Sequence, residues 1–137
     1  MTALTNAIAS KYNSTGALTT AIPGGMFAGR APEGTTTFPY AVYQVESSPT
    51  QSSFGTANHY NTVAVRFVVY GVGHDATGTA MATLDSNYND TILSLASGQC
   101  VNCYRMYEPR PVLEPQVNEA GQEVWAWTVT YVYSIRN

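Results

Sequence analysis

The sequence predicts an α+β fold: a mainly antiparallel four-stranded sheet with two helices packed on one face, in the order α-β-β-α-β-β. Three observations carry that expectation. Two long runs, "HYNTVAVRFVVYGV" from His59 and "QEVWAWTVTYVYSI" from Gln122, are rich in β-branched and aromatic residues and alternate with the period of a strand. Between them, Ala80, Met81, Leu84, Tyr88, Ile92 and Leu95 keep the 3–4 spacing of an amphipathic helix. Each long run is preceded by a shorter apolar stretch, so strand pairs flank the helix.

The elements follow in order. Thr2 caps a first helix that places Leu4, Ala7, Ile8 and Lys11 or Tyr12 on one side. "NSTG" at 13–16 interrupts it, Ala17–Ile22 adds a short second piece, and Pro23-Gly24-Gly25 ends helical structure. Met26–Gly29 is a short strand at most. In "MFAGRAPEGTTTFPYAVYQV", from Met26 to Val45, Pro32 and Pro39 fix φ and the glycines permit tight bends. The stretch is a connector that delivers Tyr40–Val45 into the sheet in one register. "SSPTQSSFGTAN" at 47–58 is a polar loop with one Phe, too short to join two domains. The later helix begins at Asp75 or Thr77, and Gly98 is its stop. A strand opens at Cys100, where Pro109, Pro111 and Pro115 call for an edge or a bulged path. "NEAG" at 118–121 turns the chain into the closing strand of a hairpin.

Size and composition narrow the function. At 137 residues the chain makes a single domain, 1–137, large enough to bury roughly two thirds of its unfolded surface. Charged residues are 11% of the total, against about 25% in an average soluble domain, while ten tyrosines raise the aromatic share to 12%. Such a surface suits contact with other proteins, because interfaces are depleted in Lys and Glu and enriched in aromatics. A net charge of −3 supplies no basic field to draw the chain to nucleic acid or anionic lipid. The N-terminus lacks a basic region followed by an apolar one, and no stretch reaches the ~20 apolar residues of a membrane span. An intracellular protein, or one released by lysis, is the expectation.

No set of residues that carries chemistry can be assembled. Cys100 and Cys103 spell C-x-x-C, but a zinc site needs four ligands. His59 and His74 flank a strand run of roughly 45–50 Å, too far apart to complete one. Residues three apart in a strand also point to opposite faces, so buried or edge thiols are expected. Asp75, Asp85 and Asp90 do not share a helix face, and "GRAPEG" lacks the spacing of a phosphate-cradling loop. The arginines at 30, 66, 105, 110 and 136 are too scattered for a nucleic-acid patch. No catalytic, cofactor-binding or metal-binding residue is expected.

The last strand carries Trp125, Trp127, Val129, Tyr131, Tyr133 and Ile135 on one face, and the semi-apolar Val124, Ala126, Thr128, Thr130, Val132 and Ser134 on the other. The preceding long strand is similarly apolar on both sides of Arg66. Two helices cover one face of a sheet, which leaves two readings of the other. Either Tyr and Thr tolerate water there, or a second copy of the chain buries part of that face or an edge.

Phe27, Gly29, Arg30, Ala31, Pro32, Gly34, Phe38, Pro39, Tyr40 and Val42, placed between a short helix and an apolar strand, resemble the tail-terminator or tail-completion proteins of long-tailed bacteriophages. The order of the remaining elements agrees with that family, while Cys100, Cys103 and the 47–58 loop fall outside the pattern. The resemblance implies a non-enzymatic virion protein at the head-proximal end of the tail, assembled in the host cytoplasm. It implies a homo-oligomer, a hexameric ring that caps the tail tube, stops its polymerisation and meets the tail tube protein and a neck or head-completion protein. DNA passes only through the lumen, and no membrane or cofactor is involved. The expected contact residues are Gln51, Ser53, Phe54 and Asn58 in the polar loop, Asn118, Glu119 and Gln122 at the hairpin tip, and Trp125, Trp127, Tyr131 and Tyr133 on the aromatic strand. Another neck, head-completion or tail-tube ring protein is the nearest alternative. A small α+β ligand-binding module is a more distant one.

Overall fold

The computed structural model describes residues 2–32, 37–47, 50–52, 59–112 and 115–136. Helix α1 spans Thr2–Ser14 and α2 spans Gly16–Ala21, with the break at Thr15 where the sequence places it. Leu4, Ala7, Ile8 and Tyr12 of α1 and Leu18 of α2 are buried. The Tyr12 hydroxyl donates to the Ile22 carbonyl at 2.6 Å, which folds α2 back against α1 as the Pro23-Gly24 turn begins.

The sheet is larger than the expected one. Among the described residues it has eight strands: β1 Met26–Ala28, β2 Tyr40–Ser47, β3 Thr50–Ser52, β4 His59–Val72, β5 Gln99–Arg105, β6 Arg110–Pro111, β7 Gln116–Val117 and β8 Glu123–Arg136. The lateral order is β1-β2-β4-β8-β5, with β3 on β4 and with β6 and β7 on β8. The expectation of a four-stranded, mainly antiparallel sheet is therefore overturned. The sheet is mixed, because β1 pairs parallel to β2, with Phe27 beside Val42. Backbone bonds from Gly24 to Pro39, from Ala41 to Gly25 and from Gly29 to Tyr43, each 2.9 Å, hold that parallel pair. A three-residue strand has no readable period, which is why β1 is indistinct in the sequence. The prolines at 109, 111 and 115 act as expected and divide the partner of β8 into three pieces.

Helix α3 spans His74–Tyr88 and not the stretch to Gly98. Asn89 leaves the helix with ψ 134°, and Asp90 takes φ 55°, a left-handed conformation that Asp tolerates better than most residues. Beyond it Ile92 is exposed and Leu93 is buried, so the helical spacing of Ile92 and Leu95 is coincidental.

The three helices share one core with one face of the sheet. Leu4, Ile8, Leu18, Met81, Leu84 and Tyr88 meet Val63, Val65, Phe67 and Val69 of β4 and Val129, Tyr131, Tyr133 and Ile135 of β8. Two hydroxyls in this layer are tied to backbone: that of Tyr88 donates to the Ile8 carbonyl at 2.9 Å, and that of Tyr43 to the Thr5 carbonyl at 3.2 Å. Gly78 sets the approach of α3 to the sheet, since a Cβ there would sit 2.9 Å from the Trp127 ring. Phe67 is fully enclosed, and burying such a side chain contributes about 1.5–3 kcal/mol.

Candidate assembly surface

The aromatic strand divides between the inside and the outside of the molecule. Tyr131 and Tyr133 have no exposed surface. Helix α3 and the flanking strands enclose them, so they offer nothing to a neighbour. The Tyr131 hydroxyl donates to Asp85 Oδ1 at 2.7 Å, and Arg105 donates to Asp85 Oδ2 at 2.5 Å. This cluster joins α3, β5 and β8. Trp125 and Trp127 are half-buried, and the His74 ring stands edge-on to Trp125 at 4.9 Å.

The remaining expected contact residues lie at the ends of the strands. Gln51 is in β3, opposite Tyr60 of β4. Ser53, Phe54 and Asn58 fall outside the described residues. Asn118 and Gln122 close the hairpin tip on themselves: Asn118 Oδ1 accepts from the Gln122 amide at 2.9 Å, and Asn118 Nδ2 donates to Gln122 Oε1 at 3.1 Å. Glu119 is exposed at that turn.

The face of the sheet away from the helices presents ordered rows. Tyr40, Tyr70 and Ala126 align across β2, β4 and β8, followed by Val42, Val68 and Thr128, then Gln44, Arg66 and Thr130. Tyr40 stacks on Tyr70 with ring centroids 5.1 Å apart, and Phe27 and Phe38 lie within 6.4 Å and 5.5 Å of Tyr40. All four rings are half-buried. Tyr40 and Tyr70, with Val42, floor an open cleft of about 390 Å³ whose wall is Gly29–Pro32, Arg30 included. Burial raises the Tyr40 phenol above its ordinary value, helped by the neighbouring Tyr70.

The opposite edge of the sheet is the apolar one. Of eight exposed large hydrophobic residues among those described, six (Val101, Tyr104, Met106, Tyr107, Val112 and Val117) fall between β5 and β7. Met106–Glu108 bulges over the sheet and, with Glu46, Arg66 and Thr130, walls a second recess of about 190 Å³. Arg66 and Glu46 form an exposed ion pair at 3.1 Å.

No family model and no curated protein matches the sequence. A solved structure does match: a chain from the virion of a native gene transfer agent particle, with a TM-score of 0.74, at 12% identity, over 98% of this chain and 96% of that one. In fold, this chain is similar to a virion protein. At that identity the likeness is one of architecture, and it spans nearly the whole of both molecules.

Among the described residues no three His, Cys, Asp or Glu side chains converge as a metal site, and no helix is long and apolar enough to cross a membrane. Cys100 and Cys103 share the core face, contrary to the expectation that residues three apart diverge. A bulge between Cys100 and Asn102 shifts the register, so that Cys100 faces Ile135 and Cys103 faces Tyr133. Both thiols are free and buried. Burial pushes the Cys103 thiol up to about 11, which keeps it protonated and unreactive near neutral pH. The β5–β7 strip and the Arg30 cleft were missed in sequence reasoning. Their signal was faint: a Met-Tyr pair among prolines, and one arginine in a glycine-rich connector.

Proposed function

We propose that the chain is a structural subunit of a phage-like virion, and within it the tail terminator: a ring at the head-proximal end of the tail that caps the tube, ends its growth and joins it to the neck. The observation that carries the proposal is the shared fold with a gene transfer agent virion chain over nearly the whole length of both. The Phe27–Val42 stretch supports the finer assignment through its resemblance to tail terminators. The molecule also has what an assembling subunit needs, since its helix-free face and its β5–β7 edge keep aromatic and apolar side chains at the surface. A net charge of −3 suits a passage that DNA crosses without adhering.

Deleting the gene from its phage and imaging the lysate tests the assignment. A terminator leaves overlong tails without heads. Absent tails point to a tube protein, tails of normal length that fail to join heads point to a head-completion protein, and intact infectious particles overturn the virion reading.

A further inference from the structure

The two exposed features lie side by side on one face of one sheet. The Arg30 cleft sits beside β1 and β2, and the Met106–Glu108 bulge sits beside β8. From β2, which lines the cleft, to β8, beside the bulge, there are two strand spacings, about 10 Å at ~4.8 Å each. Both features open on the face away from the helices. One is concave with an aromatic floor and a cation in its wall. The other presents Met106 and Tyr107, 48% and 58% exposed, beside the second recess. Beside them the Glu108 side chain is 88% exposed and only loosely held by Arg105 at 3.8 Å. Arg105 itself is engaged by Asp85, which leaves the Glu108 carboxylate available. Arg110 lies over the Tyr107 ring at 5.4 Å, which places its charge on the ring and not on the carboxylate.

We infer that the Met106–Glu108 bulge of one copy docks in the Arg30 cleft of the next, with Met106 and Tyr107 on the Tyr40–Tyr70 floor and Glu108 paired to Arg30. The inference rests on the ring reading above and names the two surfaces that make the ring. A contact between two different patches is head-to-tail, and such contacts close into rings when the rotation per subunit permits. An isolated surface ion pair adds little, but one enclosed by aromatic contacts sets the register and penalises like charges.

Disulfide trapping in purified phage particles tests the pairing with the full chain in place. The double variant Ala31→Cys/Met106→Cys, oxidised and run without reductant, is expected to give a ladder of covalent oligomers, whereas each single variant stays monomeric. Native Cys100 and Cys103 are buried and serve as an internal control. A charge-reversal pair gives a second readout: Arg30→Glu and Glu108→Arg each lower incorporation into particles at least tenfold, and the two together restore it. Dimers from Met106→Cys alone overturn the proposal in favour of an edge-to-edge contact. Particles that contain the chain but show neither ladder nor rescue overturn the pairing and leave the ring standing. Particles that lack the chain overturn both.

Discussion

The two faces of the central sheet are built from the same strands and differ in what covers them. On the helix side, Val63, Val65, Phe67 and Val69 alternate with residues on the open side, where Val68 and Tyr70 are half-buried and Arg66 is exposed. An antiparallel sheet with one wet face ordinarily alternates apolar with polar. Here the open face stays aromatic around Tyr40 and Tyr70, which the proposed assembly would cover. The covered face holds the fold together, and the open face and its edges are where the proposed assembly is tested.

The largest effect that separates the faces is a loss of core. Phe67→Ala empties a fully enclosed site and is expected to cost about 3–5 kcal/mol in urea denaturation. Tyr70→Ala, three residues along on the open face, is expected to cost under about 1 kcal/mol while impairing incorporation into particles. Equal losses for the two would erase the distinction.

Next in size is the Asp85 cluster. Asp85→Ala leaves the Arg105 guanidinium and the Tyr131 hydroxyl without their shared acceptor, at an expected cost of about 2–3 kcal/mol by thermal or chemical unfolding. A value near zero would mean that the cluster is not part of what seals the covered face.

Alkaline pH probes the same layer without mutation. Burial raises the Tyr88, Tyr131 and Tyr133 phenols above the ordinary 10.0 and the Cys103 thiol from 9.0 to about 11. The unfolded chain gives up these protons first, so above pH 9 it binds fewer than the folded chain. Stability is therefore full below pH 9 and falls as the pH rises to 11 and beyond, which a series of urea midpoints reads directly. A midpoint that holds steady to pH 11 would mean that the tyrosine face is open to water.

The smallest effect is a refinement. The Tyr133 hydroxyl is buried without a hydrogen bond of ordinary geometry, beside the Cys103 thiol. Removing it leaves no acceptor stranded, so Tyr133→Phe is expected to change stability by less than about 1 kcal/mol, in the stabilising direction. A loss above that would reveal a bond the hydroxyl makes.

What could be read from the sequence depended on length. The runs that became β4 and β8 are long enough for alternation to be unambiguous, and Pro23-Gly24-Gly25 and "NEAG" mark real ends. Features set by one or two residues stayed hidden. The bulge at Cys100–Asn102 reverses which way a side chain points, and Asp90 ends α3 through a left-handed φ that no apolar spacing announces. The same limit applies to two of the expected contact residues, which are fully buried. Tyr131 and Tyr133 lie on one face of a clearly read strand, but which face the helices take is a tertiary outcome, and they took the aromatic one. Alternation identifies the two faces of a sheet, not which of them is covered.

Electron cryomicroscopy of purified particles tests the central claim most directly. The account predicts a ring of this chain between tail tube and neck, with the Tyr40–Tyr70 face and the Met106–Glu108 bulge covered by adjacent subunits and the helices facing away from that contact. Density that places the chain elsewhere in the particle, or as a lone copy with those surfaces facing solvent, would contradict it.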